Sequence, residues 1–331
     1  MKILAIETSC DETSAAVIKD GKEILSNIVS SQVEFHKKYG GIVPEVASRK
    51  HIEVISAVIK QAMDQARMKF KNIDGVAGTY GPGLVGSLIV GLNAAKAIAY
   101  STGKPFIGIN HLEGHIYANF LNGSDIKFPF VCLVVSGGHT SLIYVKDHGK
   151  YELMGRTRDD AAGEAFDKVA RFLGIGYPGG PIIDKMSKNG NPKAIDFPRA
   201  MLDESFGYDF SFSGLKTAVV NYVKKTGIPK NPDDLVASFQ KAAVDILVEK
   251  TIRAAKDKKV KWIALAGGVS ANSSLREDLR SRAEKEGFNI SLPPMNLCTD
   301  NAAMIGCAGY YRLKKGERSD LGLEPVSALR I

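Results

Sequence analysis

The stretch Ile6-Glu7-Thr8-Ser9-Cys10-Asp11-Glu12-Thr13 sets the pattern from which the fold of this chain is predicted. It joins an apolar run at residues 3–6 to a second apolar run at residues 14–18, and Lys19-Asp20-Gly21-Lys22 follows as a turn signal. Short apolar runs separated by small polar residues predict two antiparallel strands with a tight turn between them.

The same pattern returns later in the chain. There, Ser136-Gly137-Gly138-His139-Thr140 joins apolar runs at residues 131–135 and 141–145, and a turn signal again follows at residues 146–150. The two copies lie much further apart than the repeats of a solenoid, so the repeated unit is half of the molecule. The sequence therefore predicts an α/β protein with two duplicated domains that face a central cleft.

Both turns are suited to binding a phosphate group. Glycine, serine and threonine leave backbone N–H groups unobstructed by side chains, and such groups bind anions. The alternative is that each is an ordinary β-turn. Two turns in matching positions favour a ligand site.

A second type of glycine turn also occurs in both halves. Residues 76–83 and residues 262–272 each combine an apolar strand with a glycine turn, and helices are predicted to follow at residues 84–100 and 273–286. A helix that begins after such a turn presents its first N–H groups and its dipole to a phosphate.

These elements give a domain prediction. Residues 1–128 plus 299–331 form the first domain, and residues 129–298 form the second, which binds the nucleotide. A polar, helical insertion is expected at about residues 33–70. The Ala-, Gly- and Met-rich stretch at residues 301–315 is expected to form a helix that packs across to the first half.

The composition is typical of a globular protein, and the net positive charge is compatible with an anionic partner. The 331 residues are 44% hydrophobic and 24% charged, with a net charge of +8. Basic clusters occur at Lys37-Lys38, Arg49-Lys50, 256–261 and 312–318. Each is either a solvated helix face or part of a track for a nucleic acid.

The cysteines and the hydropathy pattern indicate a cytoplasmic protein. The four cysteines are scattered without C-x-x-C spacing, which is typical of a reduced compartment. Residues 84–100 are the most membrane-like stretch, but Asn93, Lys96 and several small residues favour a packed helix. No membrane anchor is predicted.

His111 and His115 are candidate metal ligands. On a helix, which Asn110 would cap, residues four apart share one face and can bind one ion through imidazole nitrogens. The alternative is a pair of buried histidines with unrelated hydrogen bonds. Glu113 is two residues from His111 and points away from that face, which argues against a zinc-protease helix.

A third ligand must come from elsewhere in the chain. Asp300, just before the last helix, is the preferred candidate, and Cys298 is the rival.

Asp159, Asp160 and Asp167 belong to an acidic helical stretch. Capping of that helix accounts for Asp159 and Asp160. Asp167 lies a helix length before the small-residue loop Tyr177-Pro178-Gly179-Gly180-Pro181, where a carboxylate is placed to accept both hydroxyls of a ribose.

Taken together, these motifs resemble those of the TsaD (Gcp) family, and the central turn resembles its bacterial branch. The matching stretches run in order over nearly the whole chain: Ile6 to Thr13, Tyr80-Gly81-Pro82-Gly83, Asn110-His111-Leu112-Glu113-Gly114-His115, Val135 to Thr140, Tyr177 to Pro181, Ala266-Gly267-Gly268-Val269-Ser270-Ala271-Asn272 and Cys298-Thr299-Asp300-Asn301.

The resemblance implies an actin-like ATPase (ASKHA) fold with two ribonuclease-H-like domains. It also implies an acyltransferase that moves threonylcarbamoyl from threonylcarbamoyl-AMP to N6 of the adenosine 3′ of the anticodon in tRNAs reading ANN codons (t6A synthesis). His111, His115 and Asp300 would hold one Fe2+ or Zn2+ ion. The implied adenylate-binding residues are Val134, Val135, Ser136, Gly137, Gly138, Asp167, Gly180, Asp184 and Asn272.

Asp11 is the candidate for orienting or deprotonating the adenine amine, because it projects from the first turn towards the expected cleft. The alternative for Asp11 is a hydrogen bond that stabilises the turn. Two other functions stay open on the residues alone: a small-molecule kinase of the same superfamily and a nucleotide-dependent scaffold.

The resemblance further implies protein partners. These are a TsaB-like, catalytically inert paralogue, expected to contact residues 84–100 and the inserted helices, and a small TsaE-like ATPase.

Overall fold

The computed structural model describes residues 1–121 and 123–331, which divide into two compact units. Unit 1 comprises Met1–Asp125 and Pro293–Ile331, and unit 2 comprises Ile126–Leu292. The boundaries expected from the sequence, after residues 128 and 298, lie slightly further along the chain. The cleft between the two halves stays a prediction.

Strands and helices alternate along the described chain. The strands are β1 Lys2–Glu7, β2 Glu12–Lys19, β3 Glu23–Ser31, β4 Gly75–Gly81, β5 Phe106–Asn110, β6 Phe130–Val135, β7 Thr140–Asp147, β8 Lys150–Arg156, β9 Trp262–Ala266 and β10 Asn289–Ser291. The helices are α1 Val33–Lys37, α2 Pro44–Gln65, α3 Val85–Thr102, α4 His111–Tyr117, α5 Ala162–Leu173, α6 Gly179–Ser187, α7 Ser213–Thr226, α8 Asp233–Asp257, α9 Ser273–Lys285 and α10 Ala302–Lys314.

The two units contain sheets of the same topology, as the internal repeat predicts. In the described residues, the sheet of unit 1 has the order β3-β2-β1-β4-β5 and that of unit 2 has the order β10-β9-β6-β7-β8. In each, a first strand pairs antiparallel with the second strand of its hairpin and parallel with a later strand: β1 with β2 and β4, and β6 with β7 and β9. The two predicted hairpins are confirmed.

Unit 1 packs helices against both faces of its sheet. The apolar side chains of α2 and α3 join those of β1, β2 and β4 in one buried cluster. On the other side, α10 lies close to the sheet because it carries small residues. A Cβ atom at Gly306 would lie 2.6 Å from Ile18 and one at Gly309 would lie 2.7 Å from Ala77. The composition of α10 is therefore a packing requirement.

Unit 2 buries a larger apolar cluster between its sheet and helices α5 to α9. Its centre includes Phe166, Phe210, Phe212 and Phe239, and the rings of Phe166 and Phe239 meet edge to face at 5.0 Å. This core places the turn at residues 136–140 at the carboxyl end of β6.

Most of the elements predicted from the sequence are present, with two differences. The stretch expected to be a helical insertion contains α1 and α2, which Gly40-Gly41 and Pro44 separate. The expected loop at residues 177–181 ends at Pro178, because Gly179, Gly180 and Pro181 already form the first turn of α6. Proline is tolerated there since its missing N–H is not needed in a first turn.

The second difference concerns Asp159, whose expected role was to cap its own helix. That helix begins later, at Ala162. The Asp159 carboxylate instead accepts hydrogen bonds from the backbone N–H groups of Phe212 and Ser213 at the start of α7. A carboxylate at a helix N-terminus satisfies donors that have no partner within the helix.

Among the described residues, no helix is both long and apolar enough to span a bilayer.

Candidate functional site

A short helix in unit 1 carries both candidate metal-binding histidines. Asn110 ends β5 and caps α4, since its side-chain oxygen accepts hydrogen bonds from the N–H groups of Leu112 and Glu113. This cap was predicted and is confirmed. The four-residue spacing places the His111 and His115 rings together, with centroids 4.6 Å apart.

Asp300 reaches the same place from the other end of the chain. The first backbone N–H groups of α10, from Ala302 and Ala303, donate to the Ser14 hydroxyl on β2 and to Asn27 Oδ1 on β3. These bonds fix the start of α10 against the first hairpins. The Asp300 carboxylate consequently lies 3.1 Å from His115 Nε2 and 3.5 Å from His111 Nε2.

Among the described residues, the side chains arranged as in a metal site are those of His111, His115 and Asp300. Their potential ligand atoms all lie within 4.8 Å of one another. The rival ligand Cys298 is outside this group, and its buried thiol is directed at the carbonyl oxygens of Pro293 and Pro294.

The three side chains fit a divalent iron or zinc ion. Asp300 Oδ1 is 3.1 Å from His115 Nε2 and 3.5 Å from His111 Nε2, which is close to the separation of about 3.4 Å expected for two ligands of one such ion. His115 is fully buried, yet neither ring nitrogen makes a well-directed hydrogen bond to a described residue, although Asp300 Oδ1 is 3.1 Å away. A buried polar atom without a partner is costly, and a metal bond would satisfy it. The donor set of two imidazoles and one carboxylate suits either metal.

Glu7 is a member of this site that the sequence analysis did not identify. It is the last residue of β1, is fully buried, and its Oε2 lies 3.2 Å from His111 Nδ1. Burial alone would raise the pKa of Glu7, but the charge and hydrogen bond of His111 lower it. The sequence signal that could have identified Glu7 is a glutamate directly after an apolar run.

The pKa values of the two histidines are shifted in opposite directions, although both rings face Asp300. Burial alone would lower the pKa of His111, but Asp300 and Glu7 raise it to about 9. Burial lowers the pKa of His115. Two carboxylates therefore surround His111, and this negative charge is what a bound cation would neutralise.

Glu113 points away from the histidine face, as predicted. It is fully buried and forms a bidentate ion pair with Arg312 on α10, with N–O distances of 2.9 Å. The charge of Glu113 therefore stabilises the contact between α4 and α10.

Asp11 lies in the turn between β1 and β2 and is largely buried. Its neighbour Glu12, which the sequence analysis did not single out, shares a hydrogen bond with it. Burial and the charges of Asp11 and Asp300 raise the pKa of Glu12 well above its ordinary value. The protonated form of Glu12 is therefore favoured beside Asp11.

The N–H groups of the glycine turn before α3 form hydrogen bonds within the protein. The two amides donate to backbone carbonyls: Gly83 N to Ser327 O at 3.1 Å and Leu84 N to Ser9 O at 2.8 Å. The two N–H groups of this turn therefore bind the first hairpin and the C-terminal segment. The sequence pattern predicts instead that they approach a phosphate.

The turn at residues 136–140 of unit 2 is open. A Cβ atom at Gly137 or Gly138 would have no heavy atom within 4 Å. Among the described residues, none accepts a hydrogen bond from either amide. A cavity of about 520 Å³ beside this turn is lined by Gly138, His139, Arg156 and Arg158 among others. Arg158 is paired with Asp209, which also lines the cavity, so the unobstructed amides and Arg156 are the groups suited to binding an anion.

The other adenylate-binding candidates lie on elements around the core of unit 2, and three of their side chains have protein partners. Asp167 accepts from Gly179 N at 2.7 Å, Asp184 accepts from Ser273 N and Oγ, and Asn272 caps α9 through Leu275 N. A Cβ atom at Gly180 would have no neighbour within 4 Å.

Val134 and Val135 lie in β6 with fully buried side chains. Their contribution to a ligand site is limited to the backbone.

Comparison with known sequences gives one family. The TsaD family model, described as tRNA N6-adenosine threonylcarbamoyltransferase, matches residues 23–307. A protein of that description from Clostridium botulinum (strain 657 / Type Ba4) is 59% identical over 100% of this chain and 98% of its own length. Another, from Clostridioides difficile (strain 630), is 55% identical over 99% of this chain and 98% of its own length.

Solved structures give the same fold at low sequence identity. HypF from T. kodakarensis matches with a TM-score of 0.65 and 14% identity over 95% of this chain and 48% of that chain. Component A of the Acidaminococcus fermentans (R)-2-hydroxyglutaryl-CoA dehydratase matches with a TM-score of 0.56 and 17% identity over 95% of this chain and 99% of that chain. These neighbours have the ASKHA fold, which confirms the predicted fold class.

Proposed function

This chain belongs to the TsaD family of tRNA N6-adenosine threonylcarbamoyltransferases, and we propose that it uses threonylcarbamoyl-AMP to modify the adenosine 3′ of the anticodon in tRNAs reading ANN codons. It is an acyltransferase of t6A synthesis. The observation that carries the proposed mechanism is the convergence of His111, His115 and Asp300 at one point of unit 1.

The reaction is an acyl transfer from a mixed anhydride. The adenine N6 amine attacks the carbamoyl carbon, a C–N bond forms, the C–O bond to the phosphate breaks, and AMP leaves with the electron pair. The amine gives up one proton. Asp11 is proposed to orient the amine and accept that proton, because it is a largely buried acidic side chain in the turn between β1 and β2, and its neighbour Glu12 is influenced by the charges of both Asp11 and Asp300.

His111, His115 and Asp300 are proposed to hold one Fe2+ or Zn2+ ion. When bound, the ion supplies a Lewis acid for the acyl or phosphate oxygen. The protein's own contribution is the fixed placement of the ligands: Asn110 begins α4 at His111, and Ser14 and Asn27 hold the start of α10 next to Asp300.

Unit 2 is proposed to bind the adenylate. The open amides of Gly137 and Gly138 would donate to the phosphate, and they would also stabilise the negative charge that develops there. Gly180, Asp167, Asp184 and Asn272 are proposed to line the nucleoside part, with the flat face of the ligand against the backbone at Gly180. Val134, Val135 and Ser136 would contribute through the backbone that enters the turn.

The proposed setting is the cytoplasm, with tRNA as the acceptor. A TsaB-like paralogue and a small TsaE-like ATPase are the proposed protein partners.

Transfer of labelled threonylcarbamoyl from threonylcarbamoyl-AMP to tRNA, with the partners added, tests the function. Wild type should transfer the label, and His111→Ala should lose both transfer and bound metal. His148→Ala is the matched control, since it removes a histidine of unit 2 that packs on Phe128. Adenylate binding without transfer by wild type would favour a scaffold, and transfer at the wild-type rate by His111→Ala would exclude the metal role.

A further inference from the structure

We propose that Glu7 is a positioning residue that orients the His111 ring and keeps its proton on Nδ1, so that Nε2 is the nitrogen available to the metal ion. This inference rests on the metal site of the proposed function. It concerns a residue that makes no contact with the ion itself.

Three groups are placed to donate hydrogen bonds to the Glu7 carboxylate. Thr79 Oγ1 donates to Oε2 at 2.5 Å, the backbone N–H of Ser9 donates to Oε1 at 2.5 Å, and His111 Nδ1 lies 3.2 Å from Oε2. The side chain is fully buried at the end of β1. A charge in such a place is retained only where its hydrogen bonds are satisfied, and here three donors converge on it.

The geometry assigns the two nitrogens of His111 to different tasks. Nδ1 faces Glu7 Oε2 at 3.2 Å, and a carboxylate oxygen can only accept a hydrogen bond, so Nδ1 keeps its proton when Nε2 is the nitrogen used to bind an ion. Ser9 Oγ lies 3.1 Å from the same nitrogen and is placed to accept as well. The lone pair is then on Nε2, which lies 3.5 Å from Asp300 Oδ1. A second carboxylate behind a ligating imidazole fixes its tautomer and raises its basicity.

A glutamine at position 7 would reverse this assignment. Ser9 N already requires an oxygen at the Oε1 position, so the amide NH2 would occupy the Oε2 position. That NH2 can only donate, and the Thr79 hydroxyl can rotate to accept from it. The His111 Nδ1 would then have to accept, which moves the proton to Nε2. Glu7→Gln therefore keeps the volume and most of the hydrogen bonds but places a proton where the ion would bind.

Two further variants separate positioning from simple stabilisation of the strand end. Thr79→Val removes one donor from the same carboxylate and leaves His111 Nδ1 in contact with it. Its stability should fall, whereas its zinc affinity should stay close to that of wild type. Ser9→Ala removes the second acceptor near Nδ1 and keeps the carboxylate. Its zinc affinity should fall less than that of Glu7→Gln.

The test has two readouts on the full-length chain, with folding checked by urea denaturation. The first is Zn2+ affinity, measured by competition with a chromophoric chelator. Glu7→Gln is expected to bind Zn2+ about 10- to 100-fold more weakly than wild type. The second is the 15N chemical shift of His111 in metal-free protein, at a pH where the ring is neutral. Because Asp300 faces Nε2, Glu7→Gln should contain more of the Nε2-protonated tautomer than wild type does.

The outcomes distinguish this inference from the proposed function. If Glu7→Gln folds and has the wild-type zinc affinity and the wild-type tautomer, the positioning role is wrong. If Thr79→Val loses affinity as strongly as Glu7→Gln, the effect is structural and the inference is again wrong. If wild type binds neither Zn2+ nor Fe2+, the proposed metal site fails, while the tautomer comparison still decides the role of Glu7.

Discussion

Arg312 on α10 and the fully buried Glu113 on α4 form a bidentate ion pair, in which Nε of the partly exposed Arg312 lies 2.9 Å from both carboxylate oxygens of Glu113. Arg312 also donates to Glu317 at 2.8 Å. The pair joins the helix that carries His111 and His115 to the helix that follows Asp300. It therefore holds the two sequence-distant parts of the candidate metal site in register.

Loss of the arginine should destabilise unit 1. In Arg312→Met the Glu113 carboxylate stays buried without its cation, so the free energy of unfolding should fall by about 3–5 kcal/mol. Urea denaturation followed by circular dichroism measures it. Lys314→Met, an exposed position on the same helix, is the control. Glu113→Leu combined with Arg312→Met should recover much of the loss. A double variant as unstable as the single one would contradict this explanation.

Asp11 should affect the chemical step more than binding. If it accepts the amine proton, Asp11→Asn should lower the single-turnover rate of transfer by about 10²- to 10⁴-fold, with adenylate affinity retained. Rapid-quench assays with excess enzyme give this rate. Asp20→Asn, in the exposed turn after β2, is the matched control. A full rate in Asp11→Asn would leave Asp11 only a role in stabilising the turn.

The neighbouring glycines 179 and 180 should respond differently to the same substitution. A Cβ atom at Gly179 would lie 2.6 Å from Ala170 Cβ and from Phe166 O, whereas one at Gly180 would have no neighbour within 4 Å. Gly179→Ala should therefore cost about 1–3 kcal/mol of stability through overpacking. Gly180→Ala should keep its stability and bind adenylate more weakly, as isothermal titration calorimetry would show. Unchanged adenylate affinity in Gly180→Ala would remove that residue from the proposed site.

Lys250 should give unit 2 a distinctive pH dependence. Its buried ammonium donates to Gly207 O at 2.9 Å, and burial lowers its pKa from 10.5 to about 8. Between these two values the unfolded chain binds more protons than the folded one. This group therefore makes stability rise with pH, by at most about 3 kcal/mol.

The variant Lys250→Met should flatten that rise and should be at least as stable as wild type at pH 7, because it no longer buries a charge. Urea midpoints at several values between pH 7 and pH 10 test this. Lys230→Met, at an exposed position of the same unit, should leave the rise unchanged. The same slope in Lys250→Met and wild type would contradict the assignment to Lys250.

Local patterns in the sequence were sufficient for the framework of the fold. The alternation of short apolar runs and turn residues predicted both hairpins, and the repeat of that arrangement predicted two sheets of equal topology. The i, i+4 spacing and the Asn110 cap predicted the histidine helix. These features depend on residues close in sequence, whose geometry follows from the backbone period.

Roles that depend on distant residues were only partly predictable. Asp159 caps α7 and not its own helix, because Phe212 and Ser213 are brought next to it by the packing of unit 2. Gly83 and Leu84 donate to backbone carbonyls of the protein for a similar reason. A capping or glycine motif indicates that N–H donors are available. Their acceptor depends on which groups pack next to the motif in the folded protein.

By itself, the sequence determined the α/β class, the duplication, the histidine pair and the family. Only the tertiary structure decided that Asp300 and not Cys298 joins the histidines, that Arg312 neutralises Glu113, and that Glu7 lies behind His111. The physical reason is that α10 packs across the sheet of unit 1 through its small residues, and this single packing arrangement brings the end of the chain to its first strand.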